Sequence, residues 1–102
     1  MSKLNYYLSE ESTMKAVISV IGADTVGILA KVSDVCFKNN CNIVDVTQKV
    51  LQEYFTMIMI VEIDNCAVSF SDFSDQLTKM GEEMGLSIRT MHEDIFNSMH
   101  RI

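Results

Sequence analysis

The chain has 102 residues, of which 48% are hydrophobic, and its formal net charge is −6. This length and composition fit a single globular domain and exclude a disordered chain. Proline is absent and glycine occurs 4 times, which argues against a flexible linker between two domains. The acidic net charge argues against binding to nucleic acid or to anionic lipid.

The first third of the chain predicts a strand, a loop and a helix. Residues 1–13 show no clear period and fit an N-terminal extension, so a single domain is expected over residues 14–102. Apolar residues alternate over residues 14–22, as in a half-buried strand. The period then changes, and Ile28, Val32 and Cys36 share one face of a helix predicted from residue 26 to about residue 37.

The middle of the chain predicts a hairpin. Residues 41–51 alternate again, with Val44, Val46 and Val50 on one side. Gln52 and Glu53 form a tight connection to a second strand over residues 54–63. That second strand is apolar on both faces.

The last third predicts a helix, a short strand and a terminal helix. Ser69 and Asp72 have the spacing of a capping box, and Gly85 stands where a C-terminal cap belongs. A strand follows over residues 86–91, and Phe96 and Met99 indicate a short amphipathic helix.

This β-α-β-β-α-β order predicts an α+β, ferredoxin-like fold, a four-stranded antiparallel sheet with two helices on one face, plus the terminal helix. Because the strand over residues 54–63 is apolar on both faces, the second sheet face needs a cover. We expect the terminal helix and the second subunit of a homodimer to provide it.

No catalytic or metal-binding motif is apparent. The two histidines, His92 and His100, have no partner at metal-ligand spacing, and there is no nucleophile elbow or phosphate-binding loop. The cysteines, Cys36, Cys41 and Cys66, form no CxxC pair and indicate reduced thiols. We therefore expect a non-enzymatic, cytoplasmic protein without a cofactor, a membrane span or a secretory signal.

The segment from Gly22 to Ile28 is the most suggestive of binding. Unpaired N–H groups at the start of a helix suit a carboxylate ligand, and Gly22 and Gly27 leave room for it to approach. The alternative is structural, with Asp24 or Thr25 capping the helix and Gly27 permitting close packing.

The pattern G-x-D-x-x-G-I at residues 22–28, followed by Asn42 and Ile43 at the start of the second strand, resembles the ACT domain. The run Glu-Tyr-Phe-Thr-Met at residues 53–57 is similar to short stand-alone bacterial ACT proteins related to the ACT repeats of the glycine cleavage regulator. The resemblance implies a sensor that binds an amino acid or a similar metabolite between two subunits.

The resemblance also implies a set of ligand-binding residues, namely Gly22, Asp24, Thr25, Val26, Gly27 and Asn42. Asp24 would receive the ligand ammonium, the amides at the helix start would receive its carboxylate, and Asn42, near the loop, would hydrogen-bond to it. Two residues depart from the family pattern: several members carry an amide where Asp24 stands, and many carry proline where Val26 stands.

Most ACT domains are attached to the enzyme or DNA-binding domain that they regulate, so a stand-alone module implies a separate, unidentified regulated protein. The alternative function is a ligand-free protein–protein interaction module that uses the second apolar sheet face.

Overall fold

The computed structural model describes residues 14–23 and 26–99. The predicted extension over residues 1–13, together with Asp24, Thr25 and His100, lies outside the described residues. The elements follow the predicted order, with bounds within two residues of those expected: β1 (Lys15–Ala23), α1 (Ile28–Lys38), β2 (Asn42–Leu51), β3 (Tyr54–Glu62), α2 (Phe70–Glu83), β4 (Leu86–His92) and α3 (Glu93–Met99).

The four strands form one sheet in the order β2-β3-β1-β4, and each neighbouring pair is antiparallel. Because β1 and β2 both run opposite to β3, they run in the same direction. Lys15 and Asn42 are both aligned with Glu62, whereas Gly22 is aligned with Phe55. We call these the Asn42 end and the Gly22 end of the sheet.

The core lies between one sheet face and the helices α1 and α2. Alternate residues of β1 and β3 face it, as their period predicts. Helix α1 packs near β2, and α2 packs near β4. The buried side chains that form this layer include Ala16, Ile18, Val20, Phe55, Met57, Met59, Val61, Ile28, Val32, Cys36, Phe73 and Leu77.

The predicted face of Val44 is wrong. The register of β2 shifts between Ile43 and Asp45, so that Ile43 aligns with Val61 and Val46 with Met59, and both pack on the core. The shift is a β-bulge, in which one extra residue is inserted and the local alternation breaks. Val44 is therefore exposed.

The helix ends follow the predicted signals. At the start of α2, the Ser69 hydroxyl accepts a hydrogen bond from the Asp72 backbone N–H at 3.1 Å. After α2, Gly85 adopts a left-handed conformation with φ of 73°. At the end of α1, the buried Asn39 amide donates to the Val35 carbonyl at 2.9 Å and to Gln76 Oε1 at 2.7 Å, which joins α1 to α2.

The sheet face opposite α1 and α2, which we call the outer face, is also apolar. Val17 points to this face and is only 2% exposed. Helix α3 packs against β1 and β4, and it covers this part of the outer face. The expectation that the terminal helix covers part of the second face is thus confirmed, while Ile21 and Ile58 farther along remain 55% and 41% exposed.

Candidate ligand site at the start of the first helix

The first helix begins without a side-chain cap. Its N-cap residue is Gly27, which has φ of 87° and no side chain to offer to the N–H groups of the first turn. Among the described residues, which leave out Asp24 and Thr25, no acidic residue lies in that turn and nothing stands within 4 Å of the position that a Gly27 Cβ would take. The positive end of the helix dipole thus adjoins open space, which suits a carboxylate.

The two glycines of the predicted site differ in their surroundings. A Cβ on Gly22 would lie 2.6 Å from Leu86 Cδ2 and 3.2 Å from the Gly85 carbonyl oxygen. Gly22 therefore permits the close approach of β4. Gly27 differs from Gly22 in two ways: its backbone is left-handed, which favours glycine, and the space beside it is open, which leaves room for a ligand.

Asn42 lies at the other end of the sheet. Its amide Nδ2 donates to Glu62 Oε1 at 3.2 Å. The two side chains line a small polar pocket of about 50 Å³ together with Asn40, Asp64 and Asn65. Glu62 was not expected at the site, because only the register of β2 against β3 brings it beside Asn42.

Within one chain, the structure does not bring Asn42 and Gly27 together. The seven residue steps from Lys15 to Gly22 along β1 separate the two ends of the sheet by roughly 23 Å, at about 3.3 Å per residue. The expected proximity of Asn42 to the loop is therefore not found in a single subunit. A ligand held by both residues needs two chains.

Helix α1 carries a second apolar stripe on the side away from the core. Leu29, Ala30, Ser33 and Phe37 recur at helical spacing along the helix, and Val26 precedes its first turn. Val26 is 96% exposed and Phe37 is 82% exposed. We call these five residues the α1 stripe.

The charged residues of α1 leave the stripe free. Lys38 and Asp34 pair with each other at 2.9 Å, at a spacing of four residues. Ala30 and Ser33 are small and lie in the middle of the stripe, where they allow another helix to come close. A contiguous exposed apolar surface of this kind marks an interaction site.

The cysteines are free, as expected. Burial raises the pKa of Cys36 to about 11, and burial together with a hydrogen bond to Cys66 raises the pKa of Cys41 to about 12. Both thiols therefore stay protonated at neutral pH and make poor nucleophiles.

His92 also has a packing role. Its ring stacks on Phe70, with ring centroids 4.1 Å apart and planes 18° apart. Across residues 14–23 and 26–99, no three His, Cys, Asp or Glu side chains converge as metal ligands. No helix in these ranges combines the length and the apolar character that crossing a membrane requires.

Comparison with known proteins identifies the fold family. The sequence model of the ACT domain family matches residues 15–91 of this chain. The chain belongs to the ACT domain family. ACT domains are typically regulatory modules that bind small ligands, which agrees with the open start of α1.

Small proteins of similar length are related to this ACT domain in bacteria and archaea. The UPF0237 protein of Methanocaldococcus jannaschii is 47% identical over 88 residues, which cover 86% of this chain and 98% of that protein. The UPF0237 protein of Clostridium acetobutylicum is 46% identical over 89 residues, covering 87% and 100%. The group thus extends beyond the bacteria.

Solved structures show the same architecture. An ACT domain protein from Streptococcus pneumoniae is 35% identical, with a TM-score of 0.73, and covers 87% of this chain and 100% of its own. A candidate glycine cleavage system transcriptional repressor has a TM-score of 0.65 at 24% identity, and the match covers 79% of this chain and 46% of that protein. The latter likeness shows the fold alone.

Proposed function

We propose that this ACT domain is a non-enzymatic regulatory module that binds a small amino acid between the two subunits of a homodimer. The observation that carries the proposal is the start of α1, where Gly27 provides no side-chain cap and, within the part of the chain that the structure describes, adjoins open space. A ligand carboxylate is the group that this position favours.

The α1 stripe supports a two-fold arrangement. In a symmetric dimer, the same surface serves both subunits, so an axis near Ala30 and Ser33 packs the two α1 helices antiparallel. Phe37 of one subunit then lies beside Val26 of the partner. Two apolar side chains are buried in this way at each end of the contact.

The same arrangement completes the ligand site. Antiparallel α1 helices bring the Gly22 end of one sheet next to the Asn42 end of the other. The ligand carboxylate binds the start of α1 in one subunit, and its ammonium lies near Asn42 and Glu62 of the other. Asp24 contributes a further carboxylate, as the family resemblance implies, and Gly22, Thr25 and Val26 complete the loop. The regulated target is a separate protein.

Thermal denaturation with a panel of amino acids tests the ligand. At a fixed protein concentration, an amino acid present at 100 times its Kd adds about 2.7 kcal/mol to the free energy of unfolding. That corresponds to a midpoint shift of roughly ten degrees for a domain of this size. A panel without any shift would overturn amino-acid binding.

A matched pair of variants locates the site. Gly27→Asp places a negative charge at the start of α1, whereas Gly27→Asn has nearly the same size and no charge, and both residues tolerate the left-handed backbone. We expect Gly27→Asp to weaken binding by about tenfold or more relative to Gly27→Asn. Equal affinities of the two variants would exclude a carboxylate at this helix start.

Sedimentation tests the dimer. Ala30→Glu places one charge per subunit in the middle of the α1 stripe, and we expect it to shift the protein to monomers and to abolish ligand binding. Thr78→Glu adds the same charge to an exposed position of α2 and is the control. A dimer that survives Ala30→Glu would show that the α1 stripe is not the interface.

A further inference from the structure

A groove on the outer face is separate from the ligand site and from the α1 stripe. All four strands contribute residues to its floor, and Phe96 and Met99 of α3 form one wall. The cavity volume is about 470 Å³. This is within the range of roughly 300–1,000 Å³ that small-molecule sites occupy in proteins.

The groove is apolar along its length. Ile21 and Ile58 lie on its floor, Met91 continues the floor under α3, and Met99 forms its rim. The hydroxyl groups of Ser19, Thr47 and Thr56 are the uncharged polar groups in the lining. A mainly apolar surface with a few hydroxyl groups suits a ligand with a hydrocarbon body.

The charges in the lining are both positive. Lys49 of β2 and Arg89 of β4 line the groove, and its described lining contains no acidic residue. The acids at the start of α3, Glu93 and Asp94, are not part of the lining. In a chain with a net charge of −6, two cations around an apolar groove mark a local reversal of charge.

Neither cation is neutralised by the rest of the described chain. The ion pair found among residues 14–23 and 26–99 joins Lys38 to Asp34, and both Lys49 and Arg89 are exposed. They stand on the two edge strands, three strand spacings apart, which is roughly 14 Å between backbones. An anion bound in the groove therefore lies within reach of one or both long side chains.

We propose that this groove binds an apolar carboxylate, a molecule with a hydrocarbon or aromatic body and one anionic end. The body packs on Ile21, Ile58 and Met91, and the carboxylate pairs with Arg89 or Lys49 at the edge of the sheet. The site is distinct from the proposed amino-acid site, because it lies on the other face of the sheet and needs one subunit only.

Octanoate is a suitable probe, and 1-octanol is its uncharged counterpart. Methionine methyl NMR of the full chain reports the site directly, because Met91 and Met99 line the groove while Met80 and Met84 pack on the opposite side of the sheet. We expect octanoate to shift the Met91 and Met99 signals saturably and to leave those of Met80 and Met84 unchanged. We expect 1-octanol to bind at least several-fold more weakly.

Charge variants test the anionic end. Lys49→Gln and Arg89→Gln should weaken octanoate binding roughly two- to fivefold for each cation that pairs with it, the range of a solvent-exposed ion pair. Lys31→Gln removes an exposed cation of α1, outside the groove, and should leave the affinity unchanged.

Three outcomes would overturn the proposal. Equal binding of 1-octanol and octanoate would show an apolar surface without selectivity for an anion. Unchanged octanoate affinity in both Lys49→Gln and Arg89→Gln would separate the cations from the site. Met91 and Met99 signals that respond to protein concentration and not to octanoate would assign the groove to a second copy of the chain. None of these outcomes depends on the amino-acid site, which the Gly27 variants test separately.

Discussion

Thr90 is half-buried, and its buried hydroxyl has no hydrogen-bond partner in the described residues. Its Oγ1 is the one buried side-chain oxygen or nitrogen left unpaired across the described ranges. The residue is aligned with Ile18 in the middle of β1, so valine would fit the same space. A buried unpaired hydroxyl costs about 1–3 kcal/mol relative to an apolar group.

We therefore expect Thr90→Val to raise the free energy of unfolding by about 1 kcal/mol, measured by urea denaturation. Thr90→Ser keeps the hydroxyl and loses the methyl group, and it should lower stability. A loss of stability in Thr90→Val would mean that the hydroxyl is satisfied in solution.

The reactivity of the three cysteine thiols tests the burial of single residues. A pKa of about 11 leaves roughly one Cys36 thiol in a thousand ionised at pH 8, and Cys41, with a pKa of about 12, is ionised less still. We expect iodoacetamide at pH 8 to modify the half-buried Cys66 first, as followed by mass spectrometry. In urea, all three cysteines should react at similar rates.

The same shifts have a consequence for stability. Raised pKa values mean that the folded thiols stay protonated where unfolded thiols, with a pKa of 9.0, ionise. Their contribution to folding is thus complete below pH 9 and is lost as pH rises from 9 to about 11 for Cys36 and to about 12 for Cys41. Native Cys36 that is alkylated as fast as Cys66 would contradict its burial.

Among the elements, α2 has the clearest capping interaction. Ser69→Ala removes the acceptor for the Asp72 N–H and should lower the free energy of unfolding by about 1 kcal/mol. Ser71→Ala, at the exposed second position of the same helix, is the matched control and should change stability little. A similar loss in both variants would show that helix propensity, and not the cap, is being measured.

Element order and type followed from local patterns, because strand and helix periods differ and the cap residues mark the helix ends. The face of Val44 did not follow, since a bulge is set by the pairing of β2 with β3 and not by local alternation. The packing of Gly22 on Leu86 could not be predicted either, because it joins residues far apart in the chain and leaves no local pattern in the sequence.

The site was predictable only in part for a related reason. Gly27 at the start of α1 could be recognised from its position between a strand and a helix. Asn42 was assigned to the same place, yet a strand-helix-strand unit returns the chain to the starting end of the sheet before the next strand begins. The start of β2 therefore lies at the same end of the sheet as the start of β1, with β3 between them, and away from Gly27.

For the whole molecule, hydrogen exchange reports which surfaces are covered. The central strands β1 and β3 are paired on both sides, so their amides should exchange most slowly. Strand β2 is an edge strand, and its outward amides should exchange quickly if the dimer forms through the α1 stripe. Slow exchange of those amides, lost on dilution to monomers, would show instead that two sheets join edge to edge.

In the proposed dimer, the placement of Asn42 and Gly27 at opposite ends of the sheet links ligand binding to the abundance of the protein. A lone subunit holds half of each proposed amino-acid site, so capture of the amino acid rises with the square of subunit concentration when protein is scarce. The ligand in turn favours pairing, and two-fold symmetry creates two identical sites per pair. A cell that makes little of this protein would leave the effector undetected, so the synthesis rate of the chain sets the threshold of the response.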